Sequence, residues 1–210
     1  MKKVSVVIPM YYEQEVVDVC YKRVKKVLEE LKEKYEHEIV FINDGSKDKT
    51  LDILQDIAKV DKNVKIISFS RNFGHQAAVT AGLKYVTGDA IIIIDADLQD
   101  PPELIPDMIE KWEQGYEVIY GKRKKRNGES AFKLLTAKAF YTTLNKLSDV
   151  DIPGDTGDFR LVDKKVVDVI NSLPEHNKFL RGLFSWVGFE QYEYCLLYTS
   201  DAADDLTRVD

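Results

Sequence analysis

Cysteine is nearly absent from this 210-residue chain: Cys20 and Cys195 are the only two. A pair so far apart gives neither a disulfide framework nor a metal-ligand spacing, which fits a reducing compartment. A long apolar run is also missing. No stretch approaches the ~20 consecutive apolar residues of a membrane-spanning helix. The N-terminus offers Lys2 and Lys3 and then a short apolar run broken by Pro9, which reads as a first strand and not as a signal peptide. Positive charge is not in excess. The net charge is −6, so non-specific nucleic-acid binding is not expected. No internal repeat is found. What remains is a chain with 44% apolar residues, enough for a sizeable core and too many for disorder.

The most informative segment is Ile91-Ile92-Ile93-Ile94-Asp95-Ala96-Asp97-Leu98-Gln99-Asp100. Four consecutive β-branched apolar residues read as a strand buried on both faces of a parallel sheet. Residues two apart in an extended chain point the same way, so Asp95 and Asp97 are expected to aim together beyond its carboxyl end. Open α/β sheets bind ligands there. Paired carboxylates suit a hard divalent cation, and the cation suits a diphosphate. The same pattern is also read as a strand end capped by solvated acids.

The surrounding pattern alternates strand and helix. Expected strands are Val4 to Ile8, Glu38 to Ile42, Val64 to Phe69, the isoleucine run and Glu117 to Tyr120. Expected helices are Glu15 to Tyr35, Asp48 to Val60, Gln76 to Val86 and one begun by Pro101-Pro102-Glu103. That order means βαβ units and a mostly parallel, doubly wound sheet. After Gly121 the texture changes. Lys122 to Arg126 are five consecutive basic residues, and Ser130 to Ser148 is amphipathic with interspersed lysines. The pairing suits an anionic lipid phosphate at a membrane surface. A solvated face and an ordinary core helix remain the plain alternatives. Asp151 to Asp158 reads as a Gly- and Asp-rich loop, Val162 to Ile170 and Asn177 to Leu183 as short helices.

Taken together, Val6-Val7-Ile8-Pro9 with Tyr11 and Glu13, Asn43-Asp44-Gly45-Ser46, Arg71-Asn72-Phe73-Gly74-His75, Asp95 to Glu103, and Gly154 to Arg160 resemble a family 2 glycosyltransferase of the GT-A fold. More narrowly, residues 4 to 194 resemble the polyprenyl-phosphate sugar transferases. Tyr12 departs from the pattern, which usually has Asn there. The resemblance implies metal-dependent, inverting transfer of a hexose, UDP-glucose being the favoured donor, to undecaprenyl or another polyprenyl phosphate. It implies Mg²⁺ or Mn²⁺ on Asp95, Asp97 and Gln99. It implies nucleotide-sugar contacts from Pro9, Tyr11, Glu13, Asp44, Arg71 and Asp95, although turn chemistry alone would account for Asp44. It implies acceptor-phosphate contacts from Arg123 and Lys133, and the catalytic carboxylate at Asp158, as a base or as an orienting group. His75 is read as a capping or packing residue and not as a base.

Residues 1–194 are thus expected to form one catalytic domain, a nucleotide-sugar half to about residue 121 and an acceptor half from about 122. It would act at the cytoplasmic face of a membrane, with a homo-oligomer compatible. Rival readings are transfer to a soluble or cell-surface glycan, a non-catalytic nucleotide-sugar-binding module, and an Asp-x-Asp phosphatase. The last wants its acids after the first strand, and here they follow the fourth. Residues 195–210 resemble the translation of a transposase adapter used in sequencing libraries, so a non-native read-through tail is expected there, with membrane helices in the natural continuation.

Overall fold

A computed structural model describes residues 1–123, 156–175 and 177–196. The basic amphipathic segment 130–148, with Lys133, lies outside the described residues. The elements run β1 (Lys2–Met10), α1 (Val17–Glu30), β2 (Tyr35–Asn43), α2 (Thr50–Val60), β3 (Val64–Ser68), α3 (His75–Tyr85), β4 (Ala90–Ile93), a 3₁₀ turn (Pro102–Leu104), α4 (Ile105–Glu113), β5 (Val118–Arg123), β6 (Thr156–Asp163), α5 (Lys164–Ser172), α6 (Leu180–Trp186) and β7 (Gln191–Leu196).

One sheet carries them all, in the order β3-β2-β1-β4-β6-β5-β7. The pairings β3–β2, β2–β1, β1–β4 and β5–β7 are parallel, and β6 runs antiparallel to both its neighbours. The isoleucine run behaves as its composition predicts. Ile92 and Ile94 enter one apolar cluster while Ile91 and Ile93 enter the other, and all four are at most 1% exposed. Helices α1, α2 and α4 cover the first face through Val24, Leu28, Leu54 and Trp112. Helices α3, α5 and α6 cover the second through Leu83, Ile170 and Phe184. Helix α3 lies close to the sheet at Gly82, where a Cβ would come within 2.5 Å of Val7 Cγ1. Any larger residue must displace the Val7 and Ile42 side chains or the helix itself.

Several boundaries differ from expectation. Helix α1 stops at Glu30, and Tyr35 already pairs with Lys2 in the β1–β2 ladder. Sheet pairing there overrides the apolar spacing that suggested helix to Tyr35. Val162 and Asp163 are strand, not helix. They close β6, and Asp163 then caps α5 by accepting from Lys165 N. Residues 156–158, expected in a loop, begin β6. Helix α6 starts three residues later than the expected Asn177. Strand β7 runs two residues into the segment expected to be a tail, with Cys195 and Leu196 in register with Lys122 and Arg123.

Pro9 sits inside a central strand, where a missing N–H would normally break a ladder. Val7 O accepts from Ile94 N on the β4 side. The Pro9 nitrogen faces that same side, two residues on, beyond the end of β4. Pro9 has no N–H to offer Ile94 O, so the β1–β4 ladder stops at Val7↔Ile93, while β1 remains paired with β2 through Pro9↔Ile42.

Candidate active site

The chain leaves β1 for β2 on one side and returns through β4 on the other, so the crevice opens at the carboxyl ends of β1 and β4. Such a reversal of strand order is where open α/β sheets bind ligands. The antiparallel strand adds an unusual contribution. Ile93 is in register with Arg160. Asp95 lies two residues past Ile93 and Asp158 two residues before Arg160, so the ladder brings both acids to the end of β4, ligand atoms within 4.8 Å of each other. A carboxylate distant in sequence is thus delivered to the end of β4 by pairing alone.

His75 stands between them. Its Nε2–H donates to Asp95 Oδ1 at 2.8 Å, and its Nδ1 lies 3.7 Å from Asp158 Oδ2. The hydrogen bond to Asp95 raises the imidazole's pKa. Burial opposes that, and the charges of Asp95 and Asp158 add to it. His75 does begin α3, as a capping residue would. Its side chain nevertheless belongs to the acid cluster, and sequence reasoning missed this because the spacing from His75 to either acid carries no periodic signal.

Arg181 on α6 was missed as well. It donates to both carboxylate oxygens of Asp158, Nε to Oδ1 at 2.7 Å and Nη2 to Oδ2 at 2.9 Å. Burial pushes the Asp158 carboxyl up. The Arg181 hydrogen bonds and charge, with His75 and Arg160, outweigh it and hold the group below the usual carboxylate range. Arg160, only 4% exposed, donates to the carbonyls of Gly157 and Asp158 and lies 4.7 Å over the Phe184 ring.

Asp95 and Asp97 are not presented as expected. Strand β4 ends at Ile93, and Ala96 and Asp97 lie in a turn in which Leu98 N donates to Asp95 O and Leu98 adopts φ +53°. Alternation along an extended chain therefore does not align the two side chains. Asp95 turns to His75, while the exposed Asp97 accepts from Gln99 N at 3.1 Å. Gln99 is itself exposed. Glu13 completes an acidic mouth. Burial raises its pKa, and so do the charges of Asp97, Asp48 and Asp95. Repulsion among fixed carboxylates is what a bound cation would relieve. His75, Asp95 and Asp158 each place a ligand atom within 4.8 Å of the others. One imidazole nitrogen with carboxylate oxygens fits Mn²⁺ at least as well as Mg²⁺.

The remaining nucleotide-side residues surround this mouth. A cavity of about 330 Å³ is lined by Tyr12, Glu13, Gln14, Glu15, Val16 and Asp48. Tyr11 is 47% exposed and meets Tyr12 edge-on, ring centres 4.7 Å apart. Tyr12 is held at φ +58°, its N–H donating to Ser46 Oγ. Asp44 is turned inward, 3% exposed, and its two oxygens accept from Phe73 N at 2.7 Å and Gly74 N at 2.9 Å. It clamps the loop that carries Arg71 and His75. Gly45 lets that loop approach: at φ +69°, a Cβ there would lie 2.3 Å from the Arg71 carbonyl carbon. Arg71 is exposed, stacked 3.9 Å over Phe73 and donating to Asn72 O. Arg123 ends β5.

The sequence pattern of glycosyl transferase family 2 matches residues 5–170. The chain is 49% identical over 186 residues to a prophage bactoprenol glucosyl transferase homolog of Escherichia coli K12, covering 89% of this chain and 60% of that protein. It is 57% identical over 187 residues to a Bacillus subtilis protein named only as a glycosyltransferase, covering 89% of this chain and 57% of the relative. The chain thus spans about three fifths of the length of these relatives. Among solved structures, glucosyl-3-phosphoglycerate synthase of Mycobacterium tuberculosis, in complex with Mn²⁺, UDP and phosphoglyceric acid, superposes with a TM-score of 0.60 at 18% identity, over 98% of this chain and 73% of that one. A mannosyltransferase of Pyrobaculum calidifontis with GDP-mannose and Mn²⁺ gives 0.60 at 13% identity, over 98% and 59%. The shared fold is GT-A.

Proposed function

The chain belongs to glycosyl transferase family 2, and from that premise we propose that it transfers a hexose, most favourably from UDP-glucose, to a polyprenyl phosphate with inversion at the anomeric carbon. The observation that carries this reading is the gathering of Glu13, Asp95, Asp97 and Asp158 around the mouth of the parallel strands, beside a cavity of about 330 Å³ that Glu13 also lines. The bactoprenol glucosyl transferases among its relatives support the acceptor.

In this reading Pro9, Tyr11, Glu13 and Asp44 shape the nucleoside pocket, and Arg71 serves the diphosphate from its rim. Asp95, Asp97 and Gln99 hold the Mg²⁺ or Mn²⁺, with His75 as a nitrogen donor close by. When bound, the ion neutralises negative charge on the leaving nucleoside diphosphate. Mn²⁺ in the two solved structures named above supports it. An acceptor phosphate oxygen forms the new bond to the sugar's C1. The bond from C1 to the diphosphate oxygen breaks, and its electron pair leaves with the nucleotide. A phosphate acceptor is ionised near neutral pH and needs no base, so Asp158 orients and stabilises charge. Arg123 and Lys133 hold the acceptor phosphate. Among the described residues no helix is long and apolar enough to cross a membrane. The enzyme works at the cytoplasmic face of one because its acceptor is there.

The test is a donor screen. Purified protein is given labelled nucleotide-sugars, undecaprenyl phosphate in detergent, and Mn²⁺, Mg²⁺ or excess chelator. Labelled lipid from UDP-glucose, lost in chelator, is the expected result. Transfer to water-soluble glycans in place of the lipid would overturn the acceptor, and full turnover in chelator would remove the metal. Arg123→Ala should raise KM for the lipid roughly ten- to hundredfold, the worth of a charge-assisted hydrogen bond, and leave UDP binding unchanged.

A further inference from the structure

Asp158 is gripped on two sides, by Arg181 of α6 and by Arg160 of its own strand. Its carboxylate receives the two-pronged Arg181 fork, at 2.7 and 2.9 Å. Its own backbone carbonyl and that of Gly157 accept from Arg160, whose guanidinium rests on Phe184, one turn beyond Leu180 on α6. The start of α6 is in turn fixed to α3, since Leu180 N donates to Gln76 Oε1 at 3.1 Å. Gln76 directly follows His75, the other group facing Asp158. A cavity of about 10 Å³, room for one water, is lined by Gln76, Ile93, Asp158, Arg160 and Phe184. The carboxylate cannot turn without breaking two charge-assisted bonds in a partly dry setting.

We propose that Arg181 is a positioning residue of the transfer reaction, fixing the Asp158 carboxylate in one orientation so that it acts on the transferring sugar as an oriented charge and not as a proton acceptor. This rests on the glycosyl-transfer reading. The competing role is direct: Arg181 would bind an anionic substrate, with Asp158 merely its neighbour. The two differ in a double-mutant cycle, because a residue acting only through Asp158 has nothing to do once that carboxylate is gone.

The experiment measures kcat and KM for donor and lipid in wild type, Arg181→Ala, Asp158→Ala and the double variant, with unfolding midpoints beside them. Arg181→Ala is expected to lower kcat roughly ten- to hundredfold with both KM values little changed. The double variant should match Asp158→Ala alone. Added guanidinium ion should restore part of kcat to Arg181→Ala and none to the double variant. Arg181→Lys, which keeps the charge and loses the fork, should fall between Arg181→Ala and wild type. A raised KM for lipid with kcat preserved, a full extra loss on top of Asp158→Ala, or wild-type kcat in Arg181→Lys would each overturn the assignment. If Arg181→Ala does not fold, Arg181→Lys and its kcat decide alone. If wild type glycosylates no polyprenyl phosphate, the function reading falls. The same cycle is then read on the acceptor that the screen finds, or on donor hydrolysis, where the coupling is still expected.

Discussion

Replacing Asp44 by Asn separates two roles for a residue that looked like a nucleotide contact. The carboxylate is 3% exposed and accepts from two backbone amides, Phe73 N at 2.7 Å and Gly74 N at 2.9 Å. In Asn one oxygen remains and the other becomes an NH₂ that faces an N–H. One charge-assisted bond is lost, about 1.5–3 kcal/mol, and a buried donor is left unsatisfied, about 1–3 kcal/mol more. A net loss of ~3 kcal/mol follows, since solvent and loop relaxation recover part. At ~2–4 °C per kcal/mol for a domain of this size, the midpoint of thermal unfolding should fall by about 6–12 °C. The displaced loop carries Gly74, which precedes α3 at φ +95°, and His75 after it. UDP affinity should therefore fall through loop disorder, and activity should be partly recovered at low temperature. The assay is near-UV circular dichroism melting without nucleotide, with calorimetric titration of UDP at 10 °C. An unchanged midpoint together with abolished UDP binding would refute the clamp and return Asp44 to direct nucleotide contact.

Three further outcomes are expected. Asp97→Ala should weaken UDP binding in Mn²⁺ and leave it unchanged in chelator, because its exposed side chain supports no core contact; equal affinity in Mn²⁺ would remove it from the metal site. Tyr12→Asn should raise stability by ~1 kcal/mol, since φ +58° costs a residue with a bulky side chain more than it costs Asn; a lower melting midpoint would contradict this. Glu38, its side chain 2% exposed, is pushed up by burial, but Lys65, Ser5, the Thr87 amide and Lys3 more than offset that and hold it at about 2, against an ordinary 4.5. A depressed carboxyl stabilises above its unfolded pKa and loses that contribution as pH falls, so up to ~3 kcal/mol should disappear between about pH 4.5 and 2. Urea unfolding across that range should show a loss smaller by that amount in Glu38→Gln than in wild type, the remainder coming from other depressed carboxyls such as Asp61 and Asp158.

The parallel half of the molecule was written locally, which is why it could be read. Four isoleucines in a row suit a strand buried on both faces, and Ile91 to Ile94 divide between two cores accordingly. The Asn43-Asp44-Gly45-Ser46 turn marks where β2 ends, with Gly45 at positive φ and close against Arg71, whereas β1 runs through Pro9 to Met10. The acids of the site were also visible as residue types. Their mutual arrangement was not. Alternation suggested that Asp95 and Asp97 point together, but β4 ends at Ile93 and a turn follows, so pairing passes from Asp97 to His75 and Asp158. Strand β6 hid because residues 162 to 170 have apolar spacing that fits a helix as well as a strand's end, and only the ladder with β4 and β5 chooses between them. The fork of Arg181 on Asp158 depends on that ladder and on the seat of α6 over the sheet. Local sequence carries side-chain type and period, and long-range register decides which charges become neighbours, because it is set by the packing of whole faces.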